Sequence, residues 1–240
     1  MKFDLTLILP VFNEEKRIEK GLKKCDSFFK KTKLKIEVIL VDDGSSDETK
    51  NLINKLIRNK RNFKLISYSK NKGKGYAIKK GIKKASGKLV LFSDIDFSTP
   101  FSELSLFMPF VNKKADIIIG TRKVKGAEII QHQSRLREWL GRRFTDLTNL
   151  WLGMDISDYT CGFKLFKTKT AKELFNLQKI RRWAFDAEIL YIANKKGKNI
   201  IEVPITWKND QKTKVSLGRD ILQSLWELIL IRWHSLKGDY

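Results

Sequence analysis

Short apolar runs recur through the first half of the chain, and each stops at a polar or turn-forming cluster. Residues 5–9 end at Pro10, and Glu37-Val-Ile-Leu-Val-Asp42 runs into Asp43-Gly44-Ser45-Ser46-Asp47. Residues 63–67, 88–92 and 116–120 repeat the pattern. Runs this short and this uniformly apolar predict buried parallel strands rather than amphipathic helices. Between them the period changes to that of a helix. Ile18, Leu22 and Phe29 fall on one face of residues 14–31, and Leu52, Ile53, Leu56 and Ile57 follow a cap at Ser46 or Asp47. Ala77, Ile78 and Ile82 mark a third helix, and residues 102–111 a short fourth. Strands alternating with helices predict right-handed βαβ units and an α/β fold with a mostly parallel sheet.

Beyond residue 125 the character changes. Residues 135–154 have a helical period, with Leu136, Trp139, Leu140, Phe144, Leu147, Leu150 and Trp151 apolar beside Arg137, Arg142 and Arg143. Residues 158–166 are a compact polar-to-aromatic segment. Residues 182–194 read as helix, 199–207 as a strand, and 218–236 as a last helix carrying Trp226 and Trp233. Tryptophan with Lys and Arg along such helices suits a helix lying in a membrane interface. The other reading is a face packed on the sheet.

Composition narrows the classes. Forty-nine Lys and Arg against 27 Asp and Glu leave a net charge of +22, so an anionic partner is expected: nucleic acid, an acidic membrane or a phosphorylated small molecule. Cys25 and Cys161 stand apart, and His132 and His234 have no paired spacing, which argues against zinc or a redox pair. No run reaches the roughly 18 apolar residues of a spanning helix, and no signal peptide is read at the start. The expectation is a cytoplasmic protein, peripheral on the inner face of the membrane.

Ser93-Asp94-Ile95-Asp96 carries the strongest chemical signal. Two acids one residue apart lie on one side at the carboxyl end of an apolar run, where open α/β sheets bind ligands. Such a pair repels unless a cation intervenes, and oxygen donors suit Mg²⁺ or Mn²⁺ bridging a diphosphate; a loop of solvated aspartates is the alternative. Acids follow two other strands as well: Glu14 after the first, Asp42 and Asp43 after the second. They suit a base edge or ribose hydroxyl, although Asp43-Gly44-Ser45 also reads as a plain turn. Lys72-Gly-Lys-Gly75 is basic and glycine-rich at a helix start, suited to phosphate.

Taken together, Pro10-Val-Phe-Asn-Glu14, Val41-Asp-Asp-Gly-Ser-Ser-Asp47, Asn71-Lys-Gly-Lys-Gly-Tyr-Ala77 and Ser93-Asp-Ile-Asp96 resemble the successive signatures of family 2 inverting glycosyltransferases of the GT-A fold. Gly120-Thr-Arg122, Asp158-Tyr-Thr-Cys-Gly-Phe-Lys-Leu-Phe166, Arg182-Trp-Ala-Phe-Asp-Ala-Glu188 and Glu202-Val-Pro-Ile-Thr-Trp207 resemble the dolichyl-phosphate β-glucosyltransferase branch, close to dolichyl-phosphate mannose synthases.

The resemblance implies one GT-A domain over residues 1–240, with a nucleotide-sugar half in 1–124 and an acceptor half with interfacial helices in 125–240. It implies transfer of a sugar, glucose from UDP-glucose leading, to a polyprenyl phosphate with inversion. Pro10, Phe12, Glu14, Asp42, Asp43, Lys74 and Asp94 would hold the nucleotide sugar, and Asp94 and Asp96 the Mg²⁺ or Mn²⁺. Asp96, Asp186 and Arg122 are the catalytic candidates, Asp186 as a base or, preferably, a sugar-hydroxyl ligand. Arg122, Ser134, Arg135 and Lys214 would grip the acceptor phosphate. Phe12 replaces a commoner tyrosine, and Asn209-Asp-Gln-Lys-Thr-Lys214 replaces a glycine-serine-lysine pattern; no counterpart of the amino-terminal membrane helix of eukaryotic relatives is expected, which would leave anchoring to the amphipathic helices. Partners expected are a nucleotide-diphosphate sugar, a polyprenyl phosphate and an anionic membrane surface, with no nucleic acid. The alternatives are a family 2 transferase extending a lipid-linked oligosaccharide or surface polysaccharide, a nucleotidylyltransferase of related fold, and a basic nucleic-acid-binding protein.

Overall fold

The computed structural model of the chain describes residues 2–210 and 218–240. Nine strands and eight helices are built among these residues. β1 (Leu5–Val11), β2 (Ile36–Asp42), β3 (Phe63–Ser67), β4 (Leu89–Ser93), β5 (Ile117–Thr121), β7 (Phe163–Lys167) and β8 (Ile200–Pro204) form one seven-stranded sheet. Its order is β3-β2-β1-β4-β7-β5-β8, and only β7 runs antiparallel to its neighbours. β6 (Glu128–Gln131) and β9 (Thr206–Lys208) pair as a separate parallel ribbon.

Successive strand residues point to opposite faces, and both faces are apolar. Ile8, Ile39, Val41, Val90, Phe92, Ile117 and Phe166 share a core with α3 (Lys74–Lys84), α6 (Thr168–Leu177) and α7 (Phe185–Lys195). Leu7, Leu9, Val38, Leu40, Leu91, Ile118 and Leu165 pack against α1 (Ile18–Phe29), α2 (Thr49–Ile57) and α4 (Leu104–Asn112) on the other. Burying each such side chain contributes about 1.5–3 kcal/mol, which is why the runs are strands and why helices cover both faces. α5 (Arg135–Leu152) and α8 (Arg219–Leu236) complete the molecule, Leu228 and Ile231 of α8 entering the α3/α6/α7 core.

The crossover from β3 through α3 carries the chain past β1 to β4, so the sheet grows in opposite directions on either side of β1. Parallel pairing of β1 with β4 stops at Ile8↔Phe92, while its pairing with β2 continues to Val11↔Asp42. A crevice therefore opens between the ends of β1 and β4, at the topological switch point.

Several boundaries differ from the sequence expectation. α1 begins at Ile18 rather than at residue 14, because the backbone N–H of Glu14 is taken by Thr49 Oγ1 at 2.6 Å and its carboxylate by Arg17. Residues 199–207 divide into β8 and β9, which pair in different sheets. Residues 101–103 form a 3-10 turn ahead of α4. α2 starts at Thr49 without a side-chain cap at Glu48; Asp47 Oδ1 instead accepts the Thr49 N–H at 3.0 Å. Neither β6, β7 nor α6 was expected from the pattern.

Candidate active site at the carboxyl ends of the strands

The loops after β1 and β2 are stapled to each other. Asn13 Oδ1 accepts the Ser46 N–H at 2.8 Å, and the Asn13 N–H donates to Ser45 Oγ at 2.9 Å, with Asn13 in the left-handed region at φ 52°. Asp42 accepts from the Ser45 N–H at 3.1 Å and from Ser67 Oγ at 2.9 Å. Asp43 is fully engaged: Tyr68 Oη (2.7 Å) and the Lys72 N–H (2.8 Å) donate to Oδ1, Asn71 Nδ2 and the Gly73 N–H (both 2.9 Å) to Oδ2. It closes the Asn71–Gly73 turn that delivers α3. Pro10 and Phe12 are half-buried at the end of β1, beside this cluster.

Glu14 is buried, and Arg17 grips it through two nitrogens at 2.6 and 2.7 Å. Arg17 also reaches Asp210 Oδ2 at 3.3 Å, which ties the first loop to the far end of the described chain before residue 211. Its charge partly offsets the rise that burial and Asp94 impose on the Asp96 pKa, and with its grip on Glu14 this sets it beside the crevice, although sequence reasoning passed over it.

Across the crevice, Lys74 Nζ pairs with Asp94 Oδ1 at 2.6 Å. Burial draws the Lys74 pKa down, but Asp94 and Asp186 outweigh it and leave it raised. Gly162 packs so closely on Asp94 that a Cβ there would stand 2.2 Å from Oδ2. Asp96 Oδ1 accepts the Ser98 N–H at 2.9 Å, and burial, then the charge of Asp94, raises its pKa. Phe97, next in line, is held at φ 51° with its ring on Phe101 at 4.4 Å. A bulky residue with positive φ is a backbone outlier, here fixing the turn that presents Asp96.

Asp94 and Asp96 thus form an oxygen-donor pair whose mutual repulsion is incompletely neutralised. Among the described residues no group of three or more His, Cys, Asp or Glu could hold a metal. Two carboxylates alone suit a divalent ion that takes its remaining ligands from water and a bound diphosphate, the usual arrangement for Mg²⁺. The residues present fit such an ion.

Asp186 sits in the first turn of α7 and is buried. Lys164, the second residue of β7 and 1% exposed, pairs with its Oδ1 at 2.7 Å. Lys164 also donates to the carbonyls of Tyr159 (2.8 Å) and Cys161 (2.6 Å). Burial raises the Asp186 pKa and Asp94 adds to it, against Lys164 and Lys74. Lys74 therefore stands among Asp94, Asp96 and Asp186, all three of which act on its charge.

The predicted acceptor residues divide. Arg122 is occupied by fully buried Asp158, through Nε at 2.7 Å and Nη2 at 2.9 Å, and by Thr160 Oγ1 at 2.8 Å. That pairing holds Asp158 far below the usual carboxylate range despite its burial. Ser134 caps α5, its Oγ accepting the Arg137 N–H, and Arg135 is exposed on the first turn. Arg137, not singled out from sequence, faces the same region: partial burial and then the Arg122 charge lower its pKa. Lys214 lies outside the described residues.

Next to this basic rim, α5 and α8 pack together, with Trp151 Nε1 donating to the Leu228 carbonyl at 3.1 Å. Their outer faces are apolar and bare. Leu150 is 84% exposed, Leu236 79% and Leu222 70%, with Leu136, Trp139, Trp226, Ile229 and Trp233 among them. Among the described residues no helix is long and apolar enough to cross a membrane.

A parallel sheet covered on both faces, with one inserted antiparallel strand and carboxylates gathered at the switch point, defines the GT-A glycosyltransferase architecture. Residues 6–175 match the sequence family described as glycosyl transferase family 2, and the chain belongs to that family. It is 33% identical to the dolichyl-phosphate beta-glucosyltransferase of Dictyostelium discoideum, over 98% of this chain and 75% of that protein. The enzymes of that name from Saccharomyces cerevisiae and Homo sapiens are 32% and 33% identical, each over 98% of this chain and 76% and 77% of their own length. The fold is similar to that of glucosyl-3-phosphoglycerate synthase from Mycobacterium tuberculosis in complex with UDP, with TM-score 0.71, 18% identity and coverage of 95% and 80%. A complex of that synthase with Mn²⁺, UDP and glucosyl-3-phosphoglycerate gives TM-score 0.66 at 16% identity, covering 94% and 80%. The resemblance carried by the motifs is thereby borne out.

Proposed function

We propose that the chain transfers a sugar, glucose from UDP-glucose first among donors, to a polyprenyl phosphate with inversion at the anomeric carbon. The observation that carries this reading is the pairing of a carboxylate-lined crevice with a bare tryptophan- and leucine-rich face on α5 and α8, in a chain similar from end to end to dolichyl-phosphate glucosyltransferases. A water-soluble donor suits the first and a lipid acceptor the second.

In this reading Pro10, Phe12 and Asp42 bound the base and ribose, with Glu14 held in place by Arg17. Asp94 and Asp96 would hold Mg²⁺ or Mn²⁺, and the ion when bound would supply positive charge to a nucleoside diphosphate leaving group. Lys74, between Asp94 and Asp186, adds positive charge on the same side. The acceptor phosphate lies among Arg122, Ser134, Arg135 and Arg137. Its second pKa is about 6, so near neutral pH it is ionised enough to attack without a strong base. Asp186 then orients a sugar hydroxyl.

The α5 and α8 faces rest on the membrane, and the +22 charge draws the protein to anionic lipid on the cytoplasmic side. The chain is then a peripheral enzyme of the inner face.

One observation favours the alternative acceptor, a sugar hydroxyl on a growing lipid-linked glycan: Asp186 is buried beside the crevice, and that burial raises its pKa despite the Lys164 ammonium 2.7 Å away, as a general base requires. The test is a transfer assay with polyprenyl phosphate in detergent, Mg²⁺ or Mn²⁺, and labelled UDP- and GDP-sugars, counting label in organic solvent. One donor should give lipid label, and Asp186→Asn should weaken but retain it. Label only in a glycan acceptor, abolished by Asp186→Asn, would install the alternative.

A further inference from the structure

The first N–H groups of a helix have no partner within it. Asp186 is the second residue of α7, and Ala184, directly before the helix, has no side chain to cap it. The cap comes from another helix: the Ala184 N–H donates to Glu227 Oε2 of α8 at 2.9 Å. Gln223 Nε2 donates to the other oxygen at 3.3 Å, and burial raises the Glu227 pKa. Glu227 is 7% exposed while its neighbour Trp226 is 59% exposed, so adjacent residues of α8, about 100° apart around the helix, meet different surroundings. One belongs to the bare apolar face and the other to the root of α7.

What Glu227 holds is tightly interlocked with the crevice. A Cβ on Gly75 would lie 2.5 Å from Phe185 Cβ, and one on Gly73 would lie 2.5 Å from the Arg181 carbonyl. That carbonyl also accepts the Tyr76 N–H at 3.0 Å. The first turns of α3 and α7 therefore fit together with no slack, and Lys74 and Asp186 project from them toward Asp94. At the other end of the α6–α7 connection, Glu188 accepts the N–H groups of Lys179 (2.8 Å) and Ile180 (3.0 Å) and the hydroxyl of Tyr240 (2.7 Å). With Glu188 anchoring residues 179 and 180, the hold on residue 184 falls to Glu227.

We infer that Glu227 is a positioning residue for Asp186. The helix assigned to lipid is thus also the helix that sets the carboxylate and, through Phe185 and Gly75, Lys74. The inference rests on the proposed reading only where it speaks of transfer; the cap itself is independent of the substrate.

The experiment compares full-length wild type, Glu227→Gln and Glu227→Ala. The first readout is the kcat and donor KM of transfer to polyprenyl phosphate, with UDP affinity by calorimetry. The second is hydrogen exchange of the peptide containing residues 184–188, which needs no activity. Glu227→Ala should lower kcat at least tenfold with donor KM and UDP affinity within twofold, and its 184–188 amides should exchange faster. Glu227→Gln should recover most of kcat and of the protection, because an amide oxygen still accepts the Ala184 N–H. Exchange unchanged in Glu227→Ala overturns the inference, as do kcat within twofold of wild type or a Gln variant as impaired as the Ala variant. If wild type transfers nothing to the lipid, the functional reading fails, and the exchange comparison still decides the cap.

Discussion

The carboxyl ends of β2 and β4 each present two aspartates to the same crevice, yet they are opposite in kind. Asp43 receives four hydrogen bonds and Asp42 two, all from the protein. Asp94 has Lys74, Asp96 has the Ser98 N–H and side chain with the charge of Arg17 farther off, and the two repel. Asp43, with both oxygens saturated by its own chain, is part of the scaffold, while Asp42 keeps an acceptor site on each oxygen. A pair left short of positive charge, with its turn held by Phe97 in a strained conformation, suits the cation and diphosphate of the proposed reading. The lesson is that residue type and position within a motif do not separate scaffold from site; the count of donors already spent does.

The contrast can be broken by experiment. Asp96→Asn should reduce transfer roughly 10³-fold while leaving the thermal midpoint unchanged or raised, because it relieves repulsion with Asp94; a large fall in stability would make Asp96 scaffold instead. Gly162→Ala adds no charge chemistry but places a Cβ against Asp94 Oδ2. A displacement of that kind costs about 10²-fold in rate, to be read as kcat with circular dichroism unchanged. Asp43→Ala strands buried donors from Asn71, Lys72, Gly73 and Tyr68, so urea unfolding should report a loss of about 3 kcal/mol. If Asp43→Ala were as stable as wild type and merely inactive, the two loops would be alike.

Glu188 sharpens the same distinction through pH. Burial pushes its carboxyl from 4.5 up to about 7, against donors from Tyr240, Lys179 and Ile180. The folded state holds the proton more tightly than the unfolded one, so this group's stabilisation is complete below about pH 4.5 and lost above about 7. Glu188→Gln should remove that dependence, and the advantage of wild type over the variant should shrink by at most about 3 kcal/mol between pH 5 and 7.5. Parallel curves across that range would contradict the shift.

Much of the donor side was legible in the sequence, because it is local: apolar runs stopped by acids name the strands, and their carboxyl ends name the crevice. β7 was not, because Lys164 reads as a surface residue. It lies within a buried strand only because two carbonyls and Asp186, 22 positions on, surround its ammonium. Arg17 was hidden because its pair with Glu14 reads as an ordinary local ion pair and its second partner, Asp210, is 193 residues away. Gly162 gave no signal until Asp94 was seen against it. The α5 and α8 faces were visible as tryptophan and leucine at helical spacing, but whether the sheet covered them depended on tertiary packing, and the structure leaves them bare.

The central claim is that the crevice and the bare face serve one reaction, from a soluble donor to a lipid. The most direct measurement compares initial rates with two acceptors carrying the same phosphate, a long polyprenyl chain in anionic vesicles and a short water-soluble prenyl chain, at equal total concentration. The account predicts a much higher rate with the long chain, and loss of that preference when Trp139 and Trp226 are both replaced by serine. Equal rates for the two acceptors, or a preference untouched by the double substitution, would contradict it.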